Sequence, residues 1–225
     1  MDTKEKLTIP KLIEEAQSFC VAQSKYLHRE LYGVTDGKAV GTLIEHKFQQ
    51  HLLKKYELTI GSSARGIDLP SVNADIKVTS IKQPQSSCPF KDAKQKVFGL
   101  GYNLLVFVYE KIDDPQTESA HLDFVSCSFI SKERTGDFTT TSILNEMKKV
   151  NANTEDIIAF LEGIKIPADE ITLKQLAEQI LATEITIGYL TISNALQWRL
   201  QYQRIVALTD DIPGISKIVS YNKPQ

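Results

Sequence analysis

The residues with the most chemical content lie in one short stretch, Gly66-Ile67-Asp68-Leu69-Pro70-Ser71-Val72-Asn73-Ala74-Asp75-Ile76-Lys77-Val78-Thr79-Ser80. Two carboxylates stand with six residues between them, and a lysine follows the second acid two positions on. Residues two apart share one face of a strand, so Asp75 and Lys77 point the same way while Ile76 and Val78 point into a core. If 66–69 and 75–80 pair as a hairpin, Asp68 comes to lie beside Asp75, and two carboxylates and one ammonium meet near a common point. Phosphodiester hydrolysis needs those groups. A hard cation such as Mg²⁺ takes oxygen ligands, one or two carboxylates among them, and leaves room for water and a substrate phosphate. The cation can activate water and neutralise charge building on phosphorus, while a neighbouring lysine orients or helps deprotonate that water.

Several elements must position this set. Apolar residues at helical spacing (Leu12, Ile13, Ala16, Phe19, Cys20, Leu27, Leu31) predict one or two helices over 11–32. Thr35 or Asp36 can cap a further helix reaching about Tyr56, with Val40, Leu43, Ile44, Phe48 and Leu52 as its buried stripe. The run Leu104–Tyr109 reads as a strand buried on both faces, and Leu122–Ile130 as another beyond the acidic loop Asp113–Glu118. From Thr139 the pattern is helical, with candidates at 142–150, 155–162, 173–183 and 189–208, and Thr172 with Gln175 resembles a capping box for the third.

The Asp68 … Asp75-Ile76-Lys77 pattern resembles the PD-(D/E)xK nucleases, a family that includes many type II restriction endonucleases. Ile67 stands where that family often has proline, and Asp75 where it more often has glutamate. The short gap between the acids is similar to that of the mismatch-repair nicking endonuclease and its restriction-enzyme relatives, and the matched region spans roughly residues 38–110. The resemblance implies Mg²⁺ as cofactor, with Mn²⁺ as a substitute, held by Asp68, Asp75 and the backbone carbonyl of Ile76. It implies that Glu45, on the helix before the hairpin, binds a second metal or positions water. It further implies 5′-phosphate and 3′-hydroxyl products, and a homodimer acting on double-stranded DNA at a specific site. A nicking or repair nuclease, and a catalytically inactive DNA-binding module on the same fold, are the alternatives. A phosphodiesterase for small nucleotides is a weaker third.

Ile185–Thr209 carries no Asp, Glu or Lys in 25 residues. On the expected helix Asn194, Gln197, Gln201 and Arg204 form one stripe, with Arg199 nearby, and amide and guanidinium groups are those that pair with adenine and guanine edges. Base reading and a structural or dimer-interface role both fit this composition. The Gln- and Ser-rich loop 82–90, with Gln85, Ser86 and Ser87, can meet DNA near the cut or simply turn at Pro84 and Pro89. Lys91, Lys94 and Lys96, on a short surface helix, are candidate phosphate contacts or merely solvated lysines.

The formal net charge of −2 argues against a non-specific coating protein for nucleic acid. Three widely spaced cysteines and four histidines give neither a disulfide framework nor a zinc motif. No apolar run is long enough to span a membrane and the start lacks a secretory signal, so the default location is cytoplasmic. The expected architecture is α/β in the broad α+β sense: a restriction-endonuclease-like mixed β-sheet flanked by helices, with a helical C-terminal portion. One nuclease domain is expected over 1–225, its catalytic core at about 35–135 and a recognition or dimerisation portion at about 139–225. A cognate DNA methyltransferase is the expected companion of a restriction enzyme.

Overall fold

The computed structural model describes residues 4–61, 67–88, 92–193 and 198–221. Its elements begin with β1 (Glu5–Lys6), α1 (Ile9–Ser24), β2 (Leu27–His28), α2 (Gly37–Lys55), β3 (Tyr56–Glu57) and β4 (Ala74–Ser80). There follow β5 (Gln85–Cys88), α3 (Gln95–Phe98), β6 (Asn103–Asp114), β7 (Ser119–Ile130), α4 (Phe138–Lys149), α5 (Thr154–Gly163) and α6 (Glu170–Ala182). The last are β8 (Thr191–Ile192), β9 (Trp198–Gln201), α7 (Gln203–Val206) and β10 (Ile215–Val219). The chain divides into two compact units, one of residues 1–86, 102–131 and 205–225, the other of 87–101 and 132–204.

The first unit is built on a mixed sheet in the order β10-β7-β6-β4, with β2 added on β7. β6 and β7 form an antiparallel hairpin, whereas β4 runs parallel to β6 with Asp75 opposite Leu104 and Lys77 opposite Val106. Leu104 to Tyr109 are all buried, as a continuous apolar run on an interior strand requires. Their alternate members Leu105, Phe107 and Tyr109 share one core with Ile76 of β4, Phe19 of α1 and Ile44, Phe48 and Leu52 of α2. The Phe107 ring lies 5.0 Å from that of Phe48, 5.8 Å from Phe19 and 6.0 Å from Phe124, all edge to face. A Cβ at Gly41 would sit 3.5 Å from the Val78 carbonyl, so a small residue lets α2 lie close on β4. Asp36 caps α2 by accepting from the Lys38 N–H.

Glu15 of α1 ties the helices together. It accepts hydrogen bonds from His51, Lys55 and the Tyr56 hydroxyl, at 2.6, 2.8 and 2.9 Å.

In the second unit α4, α5 and α6 bury Leu144, Ile157, Leu161, Leu173, Leu176 and Ile180 around one core. Asp137 caps α4, Asn153 and Asp156 form a reciprocal capping box on α5, and Asp169 caps α6. The cap of α6 is therefore Asp169 and not Thr172, which instead supplies the N–H that Asp169 accepts.

The helix expected at 189–208 does not form among the described residues of that segment. That segment holds β8 and β9, which pair antiparallel with Thr191 opposite Gln201, and the short α7. Burial alternates along β9, with Trp198 and Leu200 inside and Arg199 exposed, a period of two that overrode the weaker helical spacing. The expected loop 82–90 likewise contains β5, which joins β9 in a three-stranded sheet ordered β5-β9-β8. Among the described residues no helix is long and apolar enough to cross a membrane.

Candidate active site at the edge of β4

The expected hairpin reduces to a single antiparallel bridge, Leu69 with Ala74, closed by a 3-10 turn over Pro70–Val72. Asn73 completes the turn at φ 47°, a left-handed conformation that asparagine tolerates better than most side chains. β4 takes its strand partner from β6 instead, which leaves its other edge facing the loop that carries Asp68. The Asp68 carboxylate occupies that edge and accepts the Ile76 N–H at 2.8 Å. Within a strand the N–H and C=O of one residue project to the same side, so the Ile76 carbonyl opens toward the Asp68 side as well.

Asp75 is 4% exposed. Burial, and then the hydrogen bond it shares with the Asp68 carboxyl, push its carboxyl up to about 7, against the pull of Lys77. The Lys77 Nζ sits 2.6 Å from Asp75 Oδ2. The Asp75 carboxyl thus lies between a second carboxyl and an ammonium. A divalent cation would relieve that crowding of like charge. Two carboxylates and a strand-edge carbonyl are hard oxygen donors, too few for a closed cage and suited to an ion that keeps several waters. Among the described residues no group of three or more His, Cys, Asp or Glu side chains is arranged to hold a metal.

Glu45 is half-buried on α2, and its Oε1 accepts from Gln49 Nε2 at 3.2 Å. Burial and the nearby Asp68 charge raise its pKa, while Lys77, His46 and the Gln49 bond work the other way. The acid therefore belongs to the same electrostatic neighbourhood as Asp68 and Lys77. Gln49, one helical turn on, is a positioning partner that sequence reasoning missed, although its i, i+4 spacing is the available signal.

The residues expected to read DNA are not brought together as one helical stripe. Asn194, Gln197 and Lys91 lie outside the described residues. Arg199 and Gln201 belong to β9 and Arg204 to α7, so the helical spacing that grouped them does not exist. Gln85 and Ser86 are half-buried and Ser87 exposed on β5, where the Thr79 hydroxyl bonds the Gln83 and Gln85 carbonyls. Lys94 is exposed, but Lys96 is 3% exposed, with its ammonium 6.0 Å from the Trp198 ring, and is no surface lysine.

A mixed sheet flanked by helices, with a carboxylate–carboxylate–lysine set at the edge of an outer strand, defines an α+β protein of nuclease-like design. The sequence profile of type II restriction enzyme NspV matches residues 6–217, and the chain belongs to that family. The type II restriction enzyme NspV of Nostoc sp. is 49% identical over 216 residues, covering 96% of this chain and 98% of its own length. No solved structure matches the chain.

Proposed function

We propose that the protein is a Mg²⁺-dependent type II restriction endonuclease that cleaves double-stranded DNA at a specific sequence. We place it in the PD-(D/E)xK superfamily. The observation that carries this reading is the convergence of Asp68, Asp75 and Lys77 at the outer edge of β4, in a chain related along nearly its whole length to a restriction enzyme.

In this reading Asp68, Asp75 and the Ile76 carbonyl hold the cation, with Mn²⁺ able to replace Mg²⁺. When bound, the ion supplies Lewis-acid stabilisation of the phosphoryl oxygens and lowers the pKa of water. Lys77 is anchored through Asp75, and its remaining N–H donors orient the attacking water and face negative charge developing on the phosphate. Glu45, whose pKa burial and the Asp68 charge raise, assists in positioning water. Attack on phosphorus with departure of the 3′ oxygen leaves 5′-phosphate and 3′-hydroxyl ends. DNA binding falls to the β9–α7 segment with Arg199, Gln201 and Arg204, to Asn194 and Gln197, and to Gln85, Ser86, Ser87 and Lys91. A homodimer acts on a palindromic site, in the cytoplasm, alongside a cognate methyltransferase.

Digestion of supercoiled plasmid with purified protein and Mg²⁺ tests this. Discrete double-strand fragments with ligatable ends support it. Nicked circles alone favour a nicking enzyme, and DNA binding that is indifferent to Mg²⁺ and Mn²⁺, with no cutting, favours an inactive binding module.

A further inference from the structure

The second unit contains a charged cluster that the carboxylate–lysine site does not use. Arg204 lies over Phe138, its guanidinium carbon 3.7 Å from the ring centroid, and the same carbon is 6.0 Å from the Tyr189 ring centroid. Arg134 approaches Tyr189 with its guanidinium carbon 5.3 Å from the ring centroid. The two rings meet edge to face at 6.0 Å. Two guanidinium groups therefore share one aromatic platform, where stacking fixes planes that would otherwise rotate freely.

Neither arginine has an acidic partner among the described residues, and the Nε of each is buried without a hydrogen-bond acceptor. The acids next to them in sequence are engaged elsewhere. Asp137 accepts the Thr140 N–H through one carboxylate oxygen and the Ile192 N–H through the other, both at 2.8 Å. Glu133 faces Lys132 at 3.9 Å. Both arginines and both rings are only partly buried as residues, so part of each side chain faces solvent even though the Nε atoms do not.

The backbone is built to hold this arrangement. A Cβ at Gly188 would fall 2.1 Å from the Gly136 carbonyl oxygen, so glycine there lets the two strands of chain touch. Tyr189 then donates its N–H to the Arg134 carbonyl at 2.8 Å, and Phe138 donates to Leu190 at the same distance.

Burying a guanidinium N–H without an acceptor costs free energy, and crowding two cations around one ring adds to it. An anion with several acceptor oxygens would offset the crowding of the two charges. We infer that Arg134 and Arg204, stacked on Tyr189 and Phe138, form a clamp for a backbone phosphate of the DNA. This rests on the proposed DNA-cleaving activity and adds Arg134, Phe138 and Tyr189 to the residues that serve it. A phosphate, not a base edge, is the assigned target because the cluster brings together two guanidinium charges with no acidic partner among the described residues, and a doubly positive site favours the charged backbone over a neutral base.

The test measures binding, with Ca²⁺ replacing Mg²⁺, to a fluorescent duplex carrying a site mapped by plasmid digestion and to one lacking it. The proteins are wild type, Arg134→Gln, Arg204→Gln and Arg204→Lys, each checked by thermal melting. Each glutamine variant should bind both duplexes roughly tenfold or more weakly. The slope of log K against log salt should shrink by about 0.9 for each lost contact, since each neutralised phosphate releases counterion. Arg204→Lys should keep the salt slope while losing part of the affinity. Loss confined to the duplex with the site, at unchanged slope, makes the cluster a base reader and overturns the clamp. Unchanged binding by the glutamine variants also overturns it. Failure of the wild type to cut any plasmid counts instead against the nuclease reading on which the clamp rests.

Discussion

The Asp68 carboxylate and the Ile76 N–H are joined by a 2.8 Å hydrogen bond, so one side chain both seals the open edge of β4 and stands against Asp75. Fold and candidate chemistry are thereby coupled at a single residue, and substitutions can separate them.

Asp68→Asn keeps an amide oxygen that can accept the Ile76 N–H, whereas Asp68→Ala leaves it to water. Chemical denaturation should show the asparagine variant near wild-type stability and the alanine variant weaker by about 1 kcal/mol. Both should fail to cut DNA. Equal stability of the two would detach the edge-sealing role from this side chain.

Lys77→Ala should lower the cleavage rate by about a hundredfold or more while leaving DNA affinity largely intact, because Lys77 is assigned to the transition state. Single-turnover digestion beside a binding titration separates the two quantities. Normal cutting by this variant would remove Lys77 from the reaction.

In metal-free protein the touching carboxyls of Asp68 and Asp75 repel once both ionise, so Mg²⁺ or Ca²⁺ should raise the melting temperature in a concentration-dependent way. Chelation with EDTA should abolish cutting, and Mn²⁺ should restore it. Asp75→Asn should erase the metal-dependent shift in melting, and persistence of that shift would place the ion elsewhere.

Burial of Glu15 opposes its ionisation, but hydrogen bonds from Lys55, His51 and Tyr56 prevail and hold its carboxyl at about 2, against an ordinary 4.5. A depressed folded-state pKa means the unfolded chain takes up the proton first as pH falls. The stabilisation is therefore complete above about 4.5 and is lost as pH drops from there toward 2. Glu15→Gln should flatten the acid limb of a stability–pH curve over that window. An unaltered limb would show that the tie between α1 and α2 is not carried by this carboxylate.

Phe107 fills the space between Phe19, Phe48 and Phe124 at the centre of the first unit. Phe107→Ala should cost about 3–5 kcal/mol in denaturant unfolding. A cost below 1 kcal/mol would mean that the surrounding rings close the cavity.

The shared face of Asp75 and Lys77 was legible in the sequence because strand alternation is a local rule that sends Ile76 into the core between them, whereas Asp68 arrives from a loop. The partner strand was not legible. β4 pairs in parallel with β6, whose first residue lies 29 positions after that of β4, while the local hairpin amounts to one bridge. The segment 189–208 misled because Ile192, Leu196 and Leu200 satisfy a helical stripe, whereas Trp198, Leu200 and Tyr202 satisfy a strand equally well. Tertiary pairing with β8 and β5 decided between the two periods. Arg134 and Arg204 stand 70 positions apart, and nothing local links them, so their shared platform emerges only from the folded chain.

β10 is contributed by the last stretch of chain, yet it borders β7 in the very sheet that carries the acids and the lysine. During synthesis that sheet stays one strand short until Ile215–Val219 has left the ribosome. A chain cut short before Ile215 would keep the pairing of β4 with β6 but leave Cys127–Ile130 of β7 without its antiparallel partner.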